Sequence, residues 1–350
     1  MAKNKDTGVN SDLLNRIISA SGNKLGDSLQ NSEVMNKKDF FTTSVPAINI
    51  ALSGAIDGGM TPGLLMIAGP SKSFKTLYML IMAKAYLDKY PESIMILFDS
   101  EFGAALSYFE MVGIDPNRVS HLPITSLEDL RGQITKVLES INRGDKVFIG
   151  VDSLGNLASK KEINDAMTDK ETADFTRAKT AASIGRIVTP HLVIKDIPMV
   201  VVNHIYMTME MYAKAVIKLG SGIMYSCNDA WIISRAQDKD SQDELQGYKF
   251  TIGIEKSRSV VEKTKIPVSV SFDDGIDKFS GLLDMAIEGG FIEKPSKGKY
   301  CIKGDTVEVK EKDTLPLIKR VLVDPAFQKY IKDTYQLSTD KGLMSGEDVV

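Results

Sequence analysis

Short, uninterrupted apolar runs recur along the chain from residue 64 onwards, and each run is followed at once by a small or polar residue. The runs cover residues 64–68, 94–98, 147–151, 199–202 and 230–233. Uninterrupted runs of this length are typical of strands that are buried on both faces of a parallel sheet. Stretches such as 76–87 and 127–142 lie between the runs and have the length of crossover helices. The pattern predicts an α/β fold with a mostly parallel central sheet flanked by helices.

Four of these five predicted strands end in residue types that suit ligand chemistry. The residues at these ends are Gly69, Asp99, Asp152 and Asn203. Ligands of open parallel sheets bind at the carboxyl ends of the strands. We therefore expect the four residues to lie along one functional edge of the sheet.

The pattern changes after the last of these runs. Residues 250–254 and 268–272 predict an added antiparallel pair of strands. Beyond residue 276 we expect a helix over 282–287, a small hairpin near 297–302 and a helical stretch over 315–335. This part of the chain is interpreted as a small α+β domain with a tail.

The first part of the chain is polar and carries one apolar stripe. Leu13, Leu14, Ile17 and Ile18 recur at helical spacing, which predicts a short amphipathic helix. The predicted organisation is an N-terminal segment, a large core, and a small C-terminal domain with a tail. Their boundaries are 1–45, 46–275 and 276–350.

Composition narrows the classes of function. The 350 residues include 43 Lys plus Arg and 46 Asp plus Glu, so the formal net charge is −3. This balance excludes nucleic-acid binding through bulk positive charge but leaves room for a local basic surface. Two cysteines and three histidines are too few for a disulfide framework or an obvious metal cluster, and we expect a reducing, intracellular compartment. No apolar run reaches the ~18 residues of a membrane helix.

The segment after the first predicted strand is close to the phosphate-binding P-loop pattern. Such a loop cradles phosphate with backbone N–H groups at the start of a helix. Lys75 is placed to reach the outer phosphates and Thr76 to supply a hydroxyl to Mg²⁺, whereas Phe74 stands where the pattern has glycine. The motif alone leaves open an ordinary strand-to-helix turn. The candidate nucleotide-binding residues are Gly69, Pro70, Ser71, Lys72, Ser73, Phe74, Lys75 and Thr76.

Two carboxylates at other strand ends strengthen the interpretation as a nucleotide site. Asp152 ends an apolar strand as a Walker B carboxylate does, which places a charge near Mg²⁺. Glu101 lies two residues beyond the end of its strand and is placed to orient and deprotonate an attacking water. Alone, an aspartate at the end of a hydrophobic strand is common, and a lone glutamate such as Glu101 is more typical of a solvated loop. Three such positions on successive strand ends favour nucleotide hydrolysis.

Several ordered strings of sequence resemble one family. They are 49–54 (NIALSG), 67–75 (IAGPSKSFK), 99–103 (DSEFG), 152–162 (DSLGNLASKKE), 176–179 (TRAK), 186–190 (RIVTP), 255–258 (EKSR) and 280–286 (SGLLDMA). The chain is similar over roughly residues 40 to 290 to the UvsX family of T-even phage recombinases, which are phage relatives of bacterial RecA. The resemblance implies a RecA-like P-loop ATPase core, and the family shares the phenylalanine at position 74.

The family resemblance implies a DNA-dependent ATPase that polymerises on single-stranded DNA, with ATP and Mg²⁺ as cofactors. It further implies pairing with a homologous duplex and strand exchange in phage recombination, replication and repair. Tyr108 falls where the family stacks a tyrosine on adenine, and His204 where the γ-phosphate is sensed. Lys256 and Arg258 fall where two cations reach the neighbouring subunit's ATP. The implied catalytic residues are Lys75, Glu101, His204, Lys256 and Arg258.

Two regions after predicted strands are implied to hold DNA, 158–176 and 205–225. Read alone, the first is a solvated loop of mixed charge. Met209 or Tyr212 is placed to wedge between bases. The cations implied to bind phosphates are Arg177, Lys179, Lys214 and Lys218.

The implied partners are single- and double-stranded DNA, copies of the chain in a helical filament, a loader and a single-strand-binding protein. The N-terminal segment would contribute to polymerisation, and the implied location is the cytoplasm of an infected bacterial host. Two alternatives remain open at this point. One is a hexameric helicase-type motor on the same fold, and the other is a non-catalytic DNA-coating mediator.

Overall fold

A computed structural model of the chain describes residues 10–35, 38–168, 176–209, 213–219, 221–239, 244–271 and 275–337. The chain divides into two compact units, Met1–Asp39 and Phe40–Val350. Parts of the predicted regions 158–176 and 205–225, including the predicted wedge residue Tyr212, lie outside the described residues. The predicted boundaries at 45/46 and 275/276 stay predictions.

The first unit contains the predicted amphipathic helix, α1, over Ser11–Ser21. The side chain of Asn10 caps its start by accepting a hydrogen bond from the Leu13 N–H at 2.9 Å. Gly22 ends the helix in the left-handed region with φ 63°. Leu13 and Ile17 are 40% and 57% exposed, whereas Leu14 and Ile18 are half-buried, so the apolar stripe of α1 is partly open to solvent.

The second unit alternates helices and strands as the apolar runs predict. Its helices are α2 (Pro46–Ser53), α3 (Lys75–Lys89), α4 (Leu106–Val112), α5 (Leu127–Ser140), α6 (Lys160–Met167), α7 (Thr176–Lys195), α8 (Ser221–Met224), α9 (Leu282–Glu288), α10 (Leu315–Leu322) and α11 (Pro325–Tyr335). Its strands are β1 (Gly63–Gly69), β2 (Ile94–Asp99), β3 (Val119–Pro123), β4 (Val147–Asp152), β5 (Pro198–Met207), β6 (Ala215–Ile217), β7 (Asp229–Lys239), β8 (Leu245–Lys256), β9 (Lys265–Ser271), β10 (Gly275–Ile276), β11 (Ile292–Ser296), β12 (Lys299–Ile302) and β13 (Val309–Lys310).

One large sheet organises the second unit. Its strand order is β10-β9-β8-β7-β1-β5-β4-β2-β3, and β6 pairs with β5 beside this path. Neighbours from β7 through β3 run parallel, whereas β7 to β10 pair antiparallel. All seven residues of β1 are buried, with core clusters on both faces of the sheet. The α/β prediction and the added antiparallel pair are therefore confirmed.

The structure differs from the sequence interpretation at residues 160–167. They form the helix α6 and not part of a solvated loop. The hydroxyl of Ser159 caps this helix by accepting a hydrogen bond from the Glu162 N–H at 2.9 Å. The Ser-x-x-Glu spacing is a helix-start signal that the mixed charges obscured.

The C-terminal helical stretch is broken into two helices. Between α10 and α11, Asp324 caps the second helix by accepting from the Ala326 N–H at 2.8 Å, and Pro325 begins it. Strands β11, β12 and β13 form a separate antiparallel sheet. The chain just after α11 packs beside the segment after β8, where the Leu337 N–H donates to the Ser259 carbonyl at 2.9 Å. Among the described residues, no helix has both the length and the apolar character to cross a membrane.

Candidate active site

The loop after β1 leads directly into α3. Lys72 and Phe74 both adopt left-handed backbone angles, with φ 58° and 57°. Residues other than glycine seldom do so, because Cβ crowds the backbone there. The Phe74 ring packs edge-on against Phe250, with ring centroids 5.1 Å apart. The position that the P-loop pattern assigns to glycine therefore accepts a phenylalanine whose ring is held by the sheet.

Lys75, the first residue of α3, directs its ammonium back into the loop. Its Nζ donates to the Pro70 carbonyl at 2.7 Å, and the residue is only 7% exposed. Burial lowers the pKa of Lys75, while the nearby carboxylates of Glu101 and Asp152 act in the opposite direction. The loop thus holds a buried cation beside two carboxylates.

Thr76 and Asp152 join the start of α3 to the end of β4. The Thr76 hydroxyl donates to Oδ2 of Asp152 at 2.6 Å. The other carboxylate oxygen, Oδ1, is buried and has no hydrogen-bond partner among the described residues. Burial raises the pKa of Asp152 to about 6, against the effect of the Thr76 hydrogen bond. A hydroxyl and an unpaired carboxylate oxygen side by side are ligands of the kind that Mg²⁺ prefers, so the pair fits this ion.

Glu101 lies at the next strand end and is held by two side chains. Its Oε1 accepts hydrogen bonds from His204 Nε2, at 2.8 Å, and from the Ser153 hydroxyl. The hydrogen bond from His204 is the main reason that the pKa of Glu101 falls to about 2, although burial acts against it. The segments just beyond β2 and β4, together with His204 within β5, therefore bring together an ionised carboxylate, a hydroxyl and an imidazole.

These side chains face one cavity of about 490 Å³. Most of the predicted nucleotide and catalytic residues line it, including Tyr108, whose pKa burial raises to about 12. Gly69 and Pro70 are not among the lining residues; they form the end of β1 and the start of the loop. The lining residues are Ser71, Lys72, Ser73, Phe74, Lys75, Thr76, Glu101, Gly103, Ala104, Tyr108, Asp152, Val202, His204, Arg235 and Tyr248.

Comparison with known proteins identifies the family. A family model for the C-terminal domain of the bacteriophage T4 recombination and repair protein matches residues 279–320. The chain is 51% identical over 291 residues to the recombination and repair protein of Enterobacteria phage T4, covering 83% of this chain and 74% of that protein. The chain belongs to the UvsX family of RecA-like recombination and repair proteins.

More distant relatives are bacterial RecA proteins. The RecA protein of Paracoccus denitrificans is 22% identical over 273 residues, covering 75% of this chain and 72% of the relative. The RecA protein of Cytophaga hutchinsonii is 24% identical over 281 residues, covering 77% of each chain. The similarity of this UvsX-family chain to RecA thus extends over most of its length.

The cavity of this UvsX-family chain is also lined by residues that the sequence motifs do not predict, among them Arg235 and Tyr248. The guanidinium of Arg235, on β7, lies 4.9 Å from the centre of the Tyr248 ring, on β8. Arg235 also donates to the Lys72 carbonyl at 3.1 Å, which ties β7 to the phosphate loop. Neither residue belongs to a local motif, because antiparallel pairing of β7 with β8 brings them together.

Lys256 and Arg258 are absent from the residues that line this cavity. Lys256 lies at the end of β8 and donates to the carbonyls of Met224, Tyr225 and Cys227 at 2.7–3.1 Å. Its ammonium therefore links three carbonyl oxygens at the end of α8 and in the turn that follows. In this single chain the two cations do not complete the nucleotide site.

The predicted DNA-binding residues of this UvsX-family chain differ in their surroundings. Lys179, Met209 and Lys214 are exposed, whereas Lys218 is half-buried. The guanidinium of Arg177 turns to the segment after β4 and donates to the carbonyls of Leu157 and Gly155, at 2.9 and 3.1 Å. Arg177 thus holds that segment in place, while Lys179, Lys214 and Met209 are exposed to solvent.

Proposed function

We propose that this chain is a DNA-dependent ATPase that forms filaments on single-stranded DNA. Within phage recombination and repair it would catalyse homologous pairing and strand exchange. The observation that carries the proposal is one cavity that unites the P-loop lysine, the Thr76–Asp152 pair and Glu101. Its volume of about 490 Å³ is within the range of pockets for ligands of nucleotide size. Membership of the UvsX family supports the same proposal.

The first step in the proposed reaction is binding of the ATP triphosphate by the loop after β1. Lys75 would exchange the Pro70 carbonyl for an outer phosphate oxygen, because phosphate is the stronger acceptor for an ammonium. Thr76 and Asp152 would hold Mg²⁺, which neutralises charge that develops on the phosphates. Tyr108 lines the same cavity and would stack on the base.

Glu101 would orient the attacking water and accept its proton. With a pKa of about 2, this carboxylate is ionised at neutral pH but is a weak base. The largest cause of that low pKa is the hydrogen bond from His204. If His204 donated to the γ-phosphate instead, the pKa of Glu101 would rise and the carboxylate would become a better base. We propose that His204 links phosphate binding to hydrolysis in this way.

The proposed filament follows from the incomplete site of the single chain. Lys256 and Arg258 would act on the ATP of a neighbouring subunit, where positive charge stabilises the transferred phosphoryl group. Head-to-tail contacts that do not close generate helical filaments. The N-terminal segment would contribute to this contact. Lys179, Lys214 and Lys218 would bind the phosphates of DNA, and a loader and a single-strand-binding protein would assist in the cytoplasm of the host.

The decisive test is ATP turnover with and without single-stranded DNA. We expect DNA to stimulate turnover, and we expect Lys75→Ala to lower it by about 100-fold or more. Lys84→Ala is the matched control, because Lys84 lies on the same helix and pairs with Asp88 on its exposed surface. Turnover that survives in Lys75→Ala would contradict the site. Closed rings in micrographs would favour a helicase-type motor, and the absence of turnover would favour a DNA-coating mediator.

A further inference from the structure

Asp99, the last residue of β2, binds the backbone that carries Glu101. One carboxylate oxygen, Oδ1, accepts from the N–H groups of Glu101 and Phe102, at 2.9 and 2.8 Å. The other oxygen, Oδ2, bonds Nε2 of His121 on β3 at 3.0 Å. Asp99 is only 5% exposed, so solvent competes little for these bonds. A buried carboxylate thus fixes the turn that presents Glu101 to the cavity.

The turn after β2 needs such a contact because its backbone is strained. Phe102 has φ 53°, in the left-handed region that Cβ disfavours. Its ring is 61% exposed, so packing does little to hold this conformation. Ser100 is bonded to Asp152 and Ser153, whereas the N–H groups of Glu101 and Phe102 are bonded to Asp99. Without Asp99, the backbone at 101–102 loses this restraint from the end of β2.

Asp99 and His121 lie outside the nucleotide cavity. Both line a second cavity of about 310 Å³, which they share with Phe102, Leu106 and Phe109. Neither is among the residues that line the first cavity. The direct hydrogen bonds of Asp99 towards the first cavity are those to the backbone of Glu101 and Phe102, so the position of Glu101 is the contact through which it would act on ATP turnover.

We propose that Asp99, oriented by His121, is a positioning residue that sets the location of the Glu101 carboxylate. The inference rests on the proposed role of Glu101 in hydrolysis. Small displacements of a reacting group cost large factors in rate, because the reaction requires near-contact geometry. His121 keeps the Asp99 carboxylate from rotating, since its imidazole holds the oxygen that the backbone does not use. Its own side chain is half exposed, so its contribution is smaller than that of Asp99.

The test compares removal of the Asp99 carboxylate with its conservative replacement. Asp99→Ala removes the acceptor for both amides, whereas Asp99→Asn keeps an oxygen for them. We expect Asp99→Ala to lower kcat for DNA-stimulated ATP hydrolysis by roughly 10- to 100-fold and to change KM for ATP by less than about 3-fold. Asp99→Asn should retain kcat within about 5-fold of the parent chain. A role in stability alone would lower apparent kcat only through the folded fraction, so kcat is referred to the folded fraction measured by circular dichroism. A purely structural role would then leave the corrected kcat unchanged.

His121 provides a second arm that does not depend on the folding of Asp99→Ala. His121→Phe keeps a ring at this position without a hydrogen bond, and His121→Gln keeps a donor. We expect the first change to lower kcat about 3- to 10-fold and the second to restore most of it. Asp324→Ala is the control, because it also removes an aspartate-to-amide bond, at the start of α11.

Three outcomes decide the inference. An Asp99→Ala chain that keeps kcat within 2-fold, while Glu101→Gln abolishes turnover, would overturn the positioning role alone. Full activity of Glu101→Gln would instead overturn the proposed catalytic role of Glu101. If Asp99→Ala does not fold, equal kcat values for His121→Phe and the parent chain would overturn the inference.

Discussion

Phe74 shows how one residue combines backbone strain with packing. Its φ of 57° disfavours any side chain, yet its ring contacts the buried Phe250. Left-handed backbone costs a residue with Cβ about 1 kcal/mol or more. Burial of part of an aromatic ring contributes a similar or larger stabilisation. The two effects therefore oppose each other at this position.

Substitutions at position 74 should separate these effects. Phe74→Ala loses the packing but keeps Cβ, so we expect the free energy of unfolding to fall by about 2 kcal/mol. Phe74→Gly loses the same packing but relieves the strain, so it should be about 1 kcal/mol more stable than Phe74→Ala. Urea unfolding of the three proteins measures both differences. An alanine variant as stable as the glycine variant would show that the loop is unstrained at this position.

Asp152 should make stability depend on pH. Its pKa in the folded chain is about 6, above the ordinary value of 3.8. The folded state therefore favours the protonated form, and this stabilisation is complete below pH 3.8 and lost as the pH rises through 6. Glu101 has the opposite shift, and its contribution is lost only as the pH falls from 4.5 through about 2. The two carboxylates thus act in different pH ranges.

Asp152→Asn should stabilise the chain at neutral pH in the absence of nucleotide and Mg²⁺. The amide carries no charge to bury, so we expect a gain of roughly 2–3 kcal/mol in the free energy of unfolding at pH 7, falling towards zero below pH 4. Denaturant unfolding across this range measures it. Asp229 also has a pKa raised to about 6, but it is present in both proteins and cancels in the difference. A gain that does not change with pH would contradict the assignment.

At the scale of elements, the strands could be predicted because burial on both faces leaves uninterrupted apolar runs. The charges of α6 are typical of a solvated segment and do not predict a helix, although Ser159 and Glu162 form a capping signal at its start. Arg235 and Tyr248 could not be predicted, since long-range pairing of β7 with β8 brings them to the cavity. Motifs at strand ends predicted the part of the site that local sequence determines. The contacts between residues on neighbouring strands could not be predicted from the sequence and are seen only in the structure.

Lys256 connects the end of β8 to the turn after α8, and replacing its side chain should destabilise that turn. Lys256→Met abolishes three hydrogen bonds to carbonyls after α8. Loss of hydrogen bonds to a charged group raises the equilibrium constant for local opening of the backbone by roughly 10-fold or more. We expect hydrogen exchange at the Ser226 and Cys227 amides to accelerate by this factor in the monomer. Lys263→Met removes an exposed lysine that pairs with Glu255 and should leave these amides unchanged. Unaltered exchange in Lys256→Met would show that the turn is held by other contacts.

At the scale of the whole molecule, the nucleotide site is built from one edge of a sheet, and the predicted trans-acting cations lie elsewhere. Lys256 is paired with Ala230 near the start of β7, whereas the cavity includes Arg235 farther along the same strand. A chain with a net charge of −3 can still concentrate positive groups where subunits and DNA meet. This separation predicts that ATP turnover requires the contact between two chains.

Mixing two inactive variants should restore activity. Lys75→Ala has a defective phosphate loop but an intact Arg258, and Arg258→Ala has the reverse. A contact between an Arg258→Ala site and a Lys75→Ala neighbour holds both functional residues. In a random equimolar filament about a quarter of the contacts are of this kind, so we expect turnover near a quarter of the parent value. Turnover of the mixture that equals the mean of the two separate variants would place Arg258 outside the neighbouring site. A double variant, Lys75→Ala with Arg258→Ala, mixed with either single variant is the control, because none of its contacts unites an intact loop with an intact arginine.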